Sequence, residues 1–288
     1  MAPFLHIWRL TIPTFGLMVA TAMIAAYFVL RADLARRGIA AKDSGFAEVL
    51  IAIPGLAGIV GGKLHHVLED PRFLLAHPGE LISQYGLAWF GGLAAGAAAF
   101  IWVARGRKIP LLQVVDAGSV AAALGYGIGR IGCLLSGDGD YGIPTSLPWG
   151  MSFPHGLVPT TQTCVAWGWP ANCRVQPTPI YEFAVACIVA WALWKIGGRQ
   201  IRSQTLPRVT QNGRLTQMSP PEGSVFAAYL VLTGVARFLV EFIRINPRSF
   251  FGLTNAQVAS LVSIVAGVAL WMYLANRTKR REKRSGSF

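Results

Sequence analysis

Charged side chains are scarce in this sequence: only 14% of its 288 residues are Asp, Glu, Lys or Arg, while 53% are hydrophobic. Soluble domains carry about 25% charge, so a globule whose surface faces water on all sides is excluded. Acidic residues are the scarcer kind, 13 against 26 basic ones. An excess of that size can serve nucleic acid, but here the basic residues sit in the gaps between apolar runs, where membrane topology accounts for them. Of the four cysteines, neither Cys133 with Cys187 nor Cys164 with Cys173 has metal-site spacing. His65 and His66 are adjacent, so they cannot share a helical face and do not make a two-histidine metal site. No metal or other cofactor is expected. No inverted repeat relates the two halves, which weighs against a small transporter.

What the sequence has is long apolar runs. Seven are centred on Ile12–Leu30, Phe46–Leu68, Gly86–Ala104, Leu111–Leu135, Thr178–Ile196, Ser224–Ile243 and Ala256–Ala275. Each approaches the ~20 residues needed to cross the hydrocarbon layer. The expected fold is an all-α polytopic membrane protein of about seven spans: a single transmembrane domain over 1–276, with an outer loop at about 137–177 and a basic cytoplasmic tail at 277–288. No soluble domain fits between the runs.

Charge sets the expected orientation. Arg31, Arg36, Arg37 and Lys42, then Arg105, Arg107 and Lys108, then Lys195, Arg199, Arg202, Arg208 and Arg214, then the Arg277–Arg284 cluster fall on one side. The other side keeps Arg9, Arg72, Arg174, Arg244 and Arg248. The positive-inside rule puts the N-terminus outside and the C-terminus in the cytoplasm. The basic tail then reads as an anchor beside anionic membrane lipid rather than a nucleic-acid arm. The first run carries its strong positive cluster after the apolar stretch, the reverse of a signal peptide, so it is expected to remain a mature span. On this topology Cys164 and Cys173 face an oxidising compartment and are expected to form a disulfide.

Ionisable groups within spans cost roughly 2.5–3.5 kcal/mol each, so each needs a reason. Lys63 lies late in the second run, Asp116 and Arg130 bracket the fourth, Glu182 opens the fifth, and Arg237 and Glu241 sit in the sixth. Arg237, Glu241 and Arg244 are spaced to share one helical face. One reading is a structural ion pair joining two helices. The other is an anion site: only Glu241 and Glu182 appear as countercharges to Lys63, Arg130 and Arg237, and surplus guanidinium suits a phosphate, which its planar fork engages bidentately.

The stretch Gly127-Ile-Gly-Arg-Ile-Gly132 matches GxGxxG, but it ends an apolar run instead of joining a strand to a helix, so a dinucleotide site is rejected. Gly125 and Gly129 have the spacing of close helix packing. The glycines also allow a helix end to unwind and present N–H groups and Arg130 to an anion. His155 is either a base or only a loop residue. Tyr126, Tyr181, Trp149, Trp167, Trp169 and Trp271 fit an interfacial belt and a binding pocket about equally.

Several of these residues fall in an ordered set of motifs. Gly129-Arg-Ile-Gly-Cys-Leu-Leu-Ser-Gly-Asp138 is similar to the signature GRIGNFINGE of the bacterial prolipoprotein diacylglyceryl transferase family. Leu147-Pro-Trp-Gly-Met-Ser-Phe-Pro154, Pro177-Thr-Pro-Ile-Tyr-Glu182, Arg237-Phe-Leu-Val-Glu-Phe-Ile-Arg244, Gly61-Gly-Lys-Leu64 and Gln257 extend the resemblance over most of the chain. The resemblance implies a bacterial cytoplasmic (inner) membrane enzyme that moves the diacylglyceryl group of phosphatidylglycerol to the lipobox cysteine of a prolipoprotein signal peptide, releasing glycerol phosphate. It implies catalytic roles for Arg130, Arg237 and Glu241, and substrate-binding roles for Lys63, Asp138, Tyr181, Glu182, Arg244, Gly91 and Gly92.

The sequence also departs from the family pattern. Phe90 precedes Gly91-Gly92-Leu93 where the family has histidine. Cys133, Ser136 and Asp138 replace two asparagines and a glutamate of the signature, Thr233 stands near an expected tyrosine, and Phe15 replaces another. The base is then Glu241, Asp138 or none, and the alternative to the transferase is a catalytically impaired phospholipid- or lipoprotein-binding homologue.

Overall fold

The computed structural model describes residues 3–39, 45–69, 79, 88–205, 220–249 and 251–285. Lys42, Arg72, Arg208, Arg214 and the expected start of the third run at Gly86 lie outside the described residues. The protein is mostly helical: α1 (Thr14–Arg36), α2 (Phe46–Glu69), α3 (Trp89–Gly106), α4 (Leu111–Ser136), the short α5 (Thr160–Ala166), α6 (Thr178–Thr205), α7 (Ser224–Val240) and α8 (Asn255–Ser285). Six of the described helices are long and apolar enough to cross a membrane, namely α1, α2, α4, α6, α8 and the stretch Ser224–Ile243. This is a polytopic membrane protein.

It is not all-α. Phe4–Ile7 (β1) and Leu10–Pro13 (β2) form an antiparallel hairpin, so α1 begins at Thr14 rather than at Ile12. Pro13 stops the pairing, and the Thr14 N–H and hydroxyl both bond to the Pro3 carbonyl, at 2.9 and 3.0 Å. A second pair, Pro144–Thr145 (β3) and Arg174–Val175 (β4), closes the segment between α4 and α6. Helices α6 and α8 outrun their apolar cores because Lys, Arg and Gln are good helix formers and carry the backbone ladder into the polar region. The basic segment from Arg277 therefore continues α8 as far as Ser285.

The chain divides into two compact units, Leu30–Val114 and the remainder. In the first, α2 and α3 pack with glycine against glycine. A Cβ at Gly91 would collide with the Gly61 carbonyl and the His65 Cβ, and one at Gly92 would stand 3.1 Å from the Gly58 carbonyl. Backbones this close are a known mode of lipid-embedded packing.

In the second unit, Val120 and Ala123 of α4, Val189, Ala190 and Leu193 of α6, and Val225 of α7 form a buried core. Asp116, fully buried, fixes how these helices meet. Its carboxylate accepts the Gly223 and Phe226 N–H groups at the start of α7, both at 2.8 Å, and the Gln200 amide of α6 at 2.9 Å. It thus caps α7 from another helix. Helix α8 starts on a capping box: Thr254 and Gln257 exchange side-chain to backbone bonds, each 3.1 Å. Between α4 and α6 a small extramembrane core gathers Tyr141, Phe153, Cys164, Cys173 and Val175. The expected Cys164–Cys173 disulfide is formed there, with Cα atoms 5.8 Å apart.

Candidate functional site

Three helix ends meet the extramembrane segment in the second unit. Arg130 stands in the last two turns of α4, Glu182 in the second turn of α6, and Arg237 in the last turn of α7. The α-helix stops at Val240. Glu241–Ile243 tighten into a 3-10 turn and Arg244 is extended, so Arg244 does not continue one helical face with Arg237 and Glu241 as the spacing suggests. Its backbone pairs instead with Gly142. A Cβ at Gly142 would collide with the Ile243 carbonyl, so glycine permits this approach.

That join returns the chain after α4 to the cluster. Gly137 and Gly139 take positive φ angles of 59° and 91°, which cost glycine little, and the chain reverses to bring Asp140 against Arg130. The carboxylates and guanidiniums then interlock. Glu182 receives Arg130 Nε at 3.0 Å on one oxygen and Arg237 Nη1 on the other. Arg237 Nη2 lies 2.8 Å from Glu241. Asp140 pairs with Arg130 through one oxygen and with Arg244 through the other. Arg244 also lies 3.5 Å from Glu182 and 3.8 Å from Glu241. The Asn246 amide donates to Glu241, and the Arg130 guanidinium stands 4.9 Å from the Tyr126 ring centroid.

The expected surplus of positive charge is overturned. Arg130, Arg237 and Arg244 are matched by Asp140, Glu182 and Glu241, because an isolated guanidinium in a low-dielectric site is costly. Asp140 is the residue that sequence reasoning missed. It follows the signature by two positions in a Gly-Asp-Gly-Asp loop, and its only signal is an acid so close to a motif arginine. Depth divides the six. Glu182, Glu241 and Arg244 have side chains at most 3% exposed, whereas Arg130, Arg237 and Asp140 are 16%, 25% and 31% exposed. The buried layer holds Arg244 Nε and Nη1, Glu182 Oε2 and Glu241 Oε2 without a hydrogen bond, held by charge alone.

Asp138 stands at the edge. Its carboxylate accepts the Asp140 N–H at 3.2 Å. Burial, helped by the Asp140 charge, pushes its carboxyl above the ordinary carboxylate range. Asp140 goes the other way: burial alone raises it, but Arg244 and Arg130 together outweigh that and hold it down at about 2. Cys133 Sγ and the Asp138 and Asp140 carboxylates lie within 4.8 Å of one another. Arg130 reaches both Cys133 and Asp140, which ties the trio to the guanidinium cluster. Tyr181 faces the extramembrane segment, accepting the Trp149 indole N–H and donating to Gln176, both at 2.7 Å.

The remaining expected residues lie in the first unit. Lys63 is half-buried in α2, one turn before His66, and both His65 and His66 approach Glu69, at 3.5 and 3.8 Å. Gly91 and Gly92 are at the α2–α3 contact, and Phe90 is exposed beside them. Residues 125–132 stay helical throughout α4, so the expected unwinding is absent. A Cβ at Gly125 would stand 3.8 Å from Ala22 and Ala26 of α1, whereas one at Gly129 would meet nothing within 4 Å, so only the first glycine of the pair faces a neighbouring helix.

Fold and site together define a polytopic membrane protein with a buried guanidinium–carboxylate cluster where its helix ends meet an extramembrane segment. The chain belongs to the prolipoprotein diacylglyceryl transferase family, whose model matches residues 3–273. It is similar to the phosphatidylglycerol–prolipoprotein diacylglyceryl transferases of Geobacter sulfurreducens (29% identical, covering 95% of each chain) and Clostridium tetani (29%, covering 91% of this chain and 93% of the relative). That of Verminephrobacter eiseniae is 32% identical over 77% of this chain and 73% of the relative.

Proposed function

We propose that this protein is a phosphatidylglycerol–prolipoprotein diacylglyceryl transferase, acting in lipoprotein maturation at the outer face of the bacterial cytoplasmic membrane. Its substrates are then phosphatidylglycerol and a prolipoprotein signal peptide with a lipobox cysteine. The seventh crossing is assigned to α3, with the N-terminus outside and the C-terminus in the cytoplasm. The distribution of basic residues supports that orientation.

The observation that carries the reading is the division by depth in the cluster. Glu182 and Glu241, both at most 3% exposed, hold Arg237; Glu182 and Asp140 hold Arg130; and the two arginines keep 16% (Arg130) and 25% (Arg237) of their side chains exposed. The reaction adds charge where they stand. The substrate thiolate attacks the glyceryl carbon, a carbon–sulfur bond forms, and the carbon–oxygen bond breaks with its electron pair going to the phosphate oxygen. A phosphodiester with one negative charge becomes a phosphomonoester with two. Oriented guanidiniums that stabilise this gain act on the transition state more than on the bound lipid. Because carboxylates already neutralise them, the arginines enter the reaction aligned but with no net positive charge to trap the product.

The thiol must lose its proton to become reactive. Glu241 is buried with its carboxylate already engaged by Arg237, Arg244 and Asn246, which leaves it no side turned to the thiol. Asp138, at the edge and with a raised pKa, is better matched. It takes the thiol proton in this reading. Glu182, Arg244 and Tyr181 position these groups; Lys63, Gly91 and Gly92 keep only the lipid-binding role that the family resemblance implies.

The test is purified protein given phosphatidylglycerol and a lipobox peptide. Glycerol phosphate release with a matching gain of peptide mass is expected. Binding of both substrates without release would select the impaired homologue and overturn the transferase reading.

A further inference from the structure

Helix α6 carries a second polar face, remote from the cluster. Trp191, Lys195 and Arg199 follow one another at intervals of four residues and share one side of the helix. With Ala192 and Ile196 they line a groove of about 420 Å³. All three are exposed, and the Lys195 ammonium lies 5.7 Å from the Trp191 ring centroid. Among the described residues, neither Lys195 nor Arg199 has a carboxylate within ion-pair distance, in contrast to the matched arginines near Glu182.

The helix rise gives the groove its place. At ~1.5 Å per residue, Arg199 is about 25 Å along the axis from Glu182, close to the roughly 30 Å of a hydrocarbon layer. Since α6 is one of the spans, the groove opens toward the membrane face opposite the cluster. Along it the lining changes from an indole ring through an ammonium to a guanidinium. A phospholipid has the same order from acyl chain through glycerol ester to phosphate. Two cations without an acid suit one phosphodiester, and a zwitterionic lipid would bring its own ammonium against Arg199.

We propose that this face is a second lipid site, which seats one anionic phospholipid of the leaflet opposite the Glu182 cluster. The site acts by binding and takes no part in the chemistry. It holds the helix that carries Glu182 at its other end. It does not depend on the transferase reading.

Native mass spectrometry of the full-length protein, released from detergent after incubation with phosphatidylglycerol or phosphatidylcholine, tests this. Wild type is expected to retain one more phosphatidylglycerol than the K195Q/R199Q double variant. Trp191→Ala, which leaves both cations in place, should weaken retention at the same site at least threefold. Phosphatidylcholine should not fill it. Glycerol phosphate release, measured on the same preparations at saturating lipid, should stay within twofold of wild type. Equal phosphatidylglycerol counts in wild type and both variants would overturn the proposal, as would equal retention of phosphatidylcholine or a changed subunit count with lipid unchanged. A preparation that loses one lipid in the double variant yet releases no glycerol phosphate even as wild type would refute the transferase reading and uphold the site.

Discussion

Arg130 and Arg237, from two different helices, hold opposite oxygens of one carboxylate, that of Glu182 on a third. The two guanidiniums cannot move independently. Each is also tied to a second acid, Asp140 for Arg130 and Glu241 for Arg237. Any anion that engages both arginines meets a pair whose spacing is already set.

Replacing either arginine should remove transition-state stabilisation more than lipid binding. Arg130→Ala and Arg237→Ala are each expected to lower glycerol phosphate release at least 100-fold, roughly 3 kcal/mol or more in barrier. Glu182→Gln should give a different signature, a lower melting temperature together with lower activity, because it leaves the part-buried Arg130 and Arg237 and the buried Arg244 undercompensated. An Arg130→Ala protein with wild-type turnover would remove the arginine from the mechanism.

The pH profile of the transfer should expose the base. Asp138 is active when charged, and its pKa lies above the ordinary value near 3.8. Turnover should therefore fall as pH drops through that raised pKa. Asp138→Asn should be slow and should lose this acidic limb while retaining bound lipid. If the limb persists in Asp138→Asn, the proton goes elsewhere.

Asp140 predicts a stability effect of the opposite kind. Its folded pKa, about 2, is below the ordinary 3.8, so its contribution is fully present well above pH 4. It is lost as pH falls through that interval toward 2. The contribution is at most about 2 kcal/mol, since the side chain retains some solvent contact. Melting curves in detergent from pH 6 to pH 2 should show wild type and Asp140→Asn converging at the acid end.

In the first unit, Gly91→Ala should separate α2 from α3. The added Cβ collides with the Gly61 carbonyl, and backbone cannot swing aside as a long side chain does. A loss of about 1–3 kcal/mol is expected, read as a lower melting temperature. Gly129→Ala, with open space around it, is the control and should melt within a degree or two of wild type.

The disulfide is directly countable. Denatured but unreduced protein should take up alkylating reagent at Cys133 and Cys187 only, and at all four cysteines after reduction. Cys164→Ser should cost roughly 2–3 kcal/mol from the short loop released.

Six of the seven apolar runs are legible as helices long and apolar enough to cross a membrane, because the bilayer imposes a length and an apolar character that few other structures share. The hairpin at Phe4–Pro13 was not, since Leu10–Pro13 is as apolar as the helix it precedes and merges with the run. In the site, Arg130, Glu182, Arg237 and Glu241 stood out because charge within a span is expensive. Asp140 did not. It lies beyond the span in a glycine loop with no periodicity, and only the folding back of that loop onto Arg244 brings it into the cluster. Without Asp140, the motif residues alone carry an excess of guanidinium that the folded cluster does not have. The end of α7 at Val240 was equally hidden, because Arg237, Glu241 and Arg244 keep helical spacing even though the helix stops between them.

The carboxylate of Asp116 acts far from where it sits. It pins the start of α7 to the start of α4, and from there each helix rises without a break to its own arginine, 14 residues on to Arg130 and 11 residues from Phe226 to Arg237. Their meeting height is thus surveyed from the far side of the bilayer. A slip of one residue at that distant peg would offset the two guanidiniums by about 1.5 Å, enough to take one of them off the shared carboxylate.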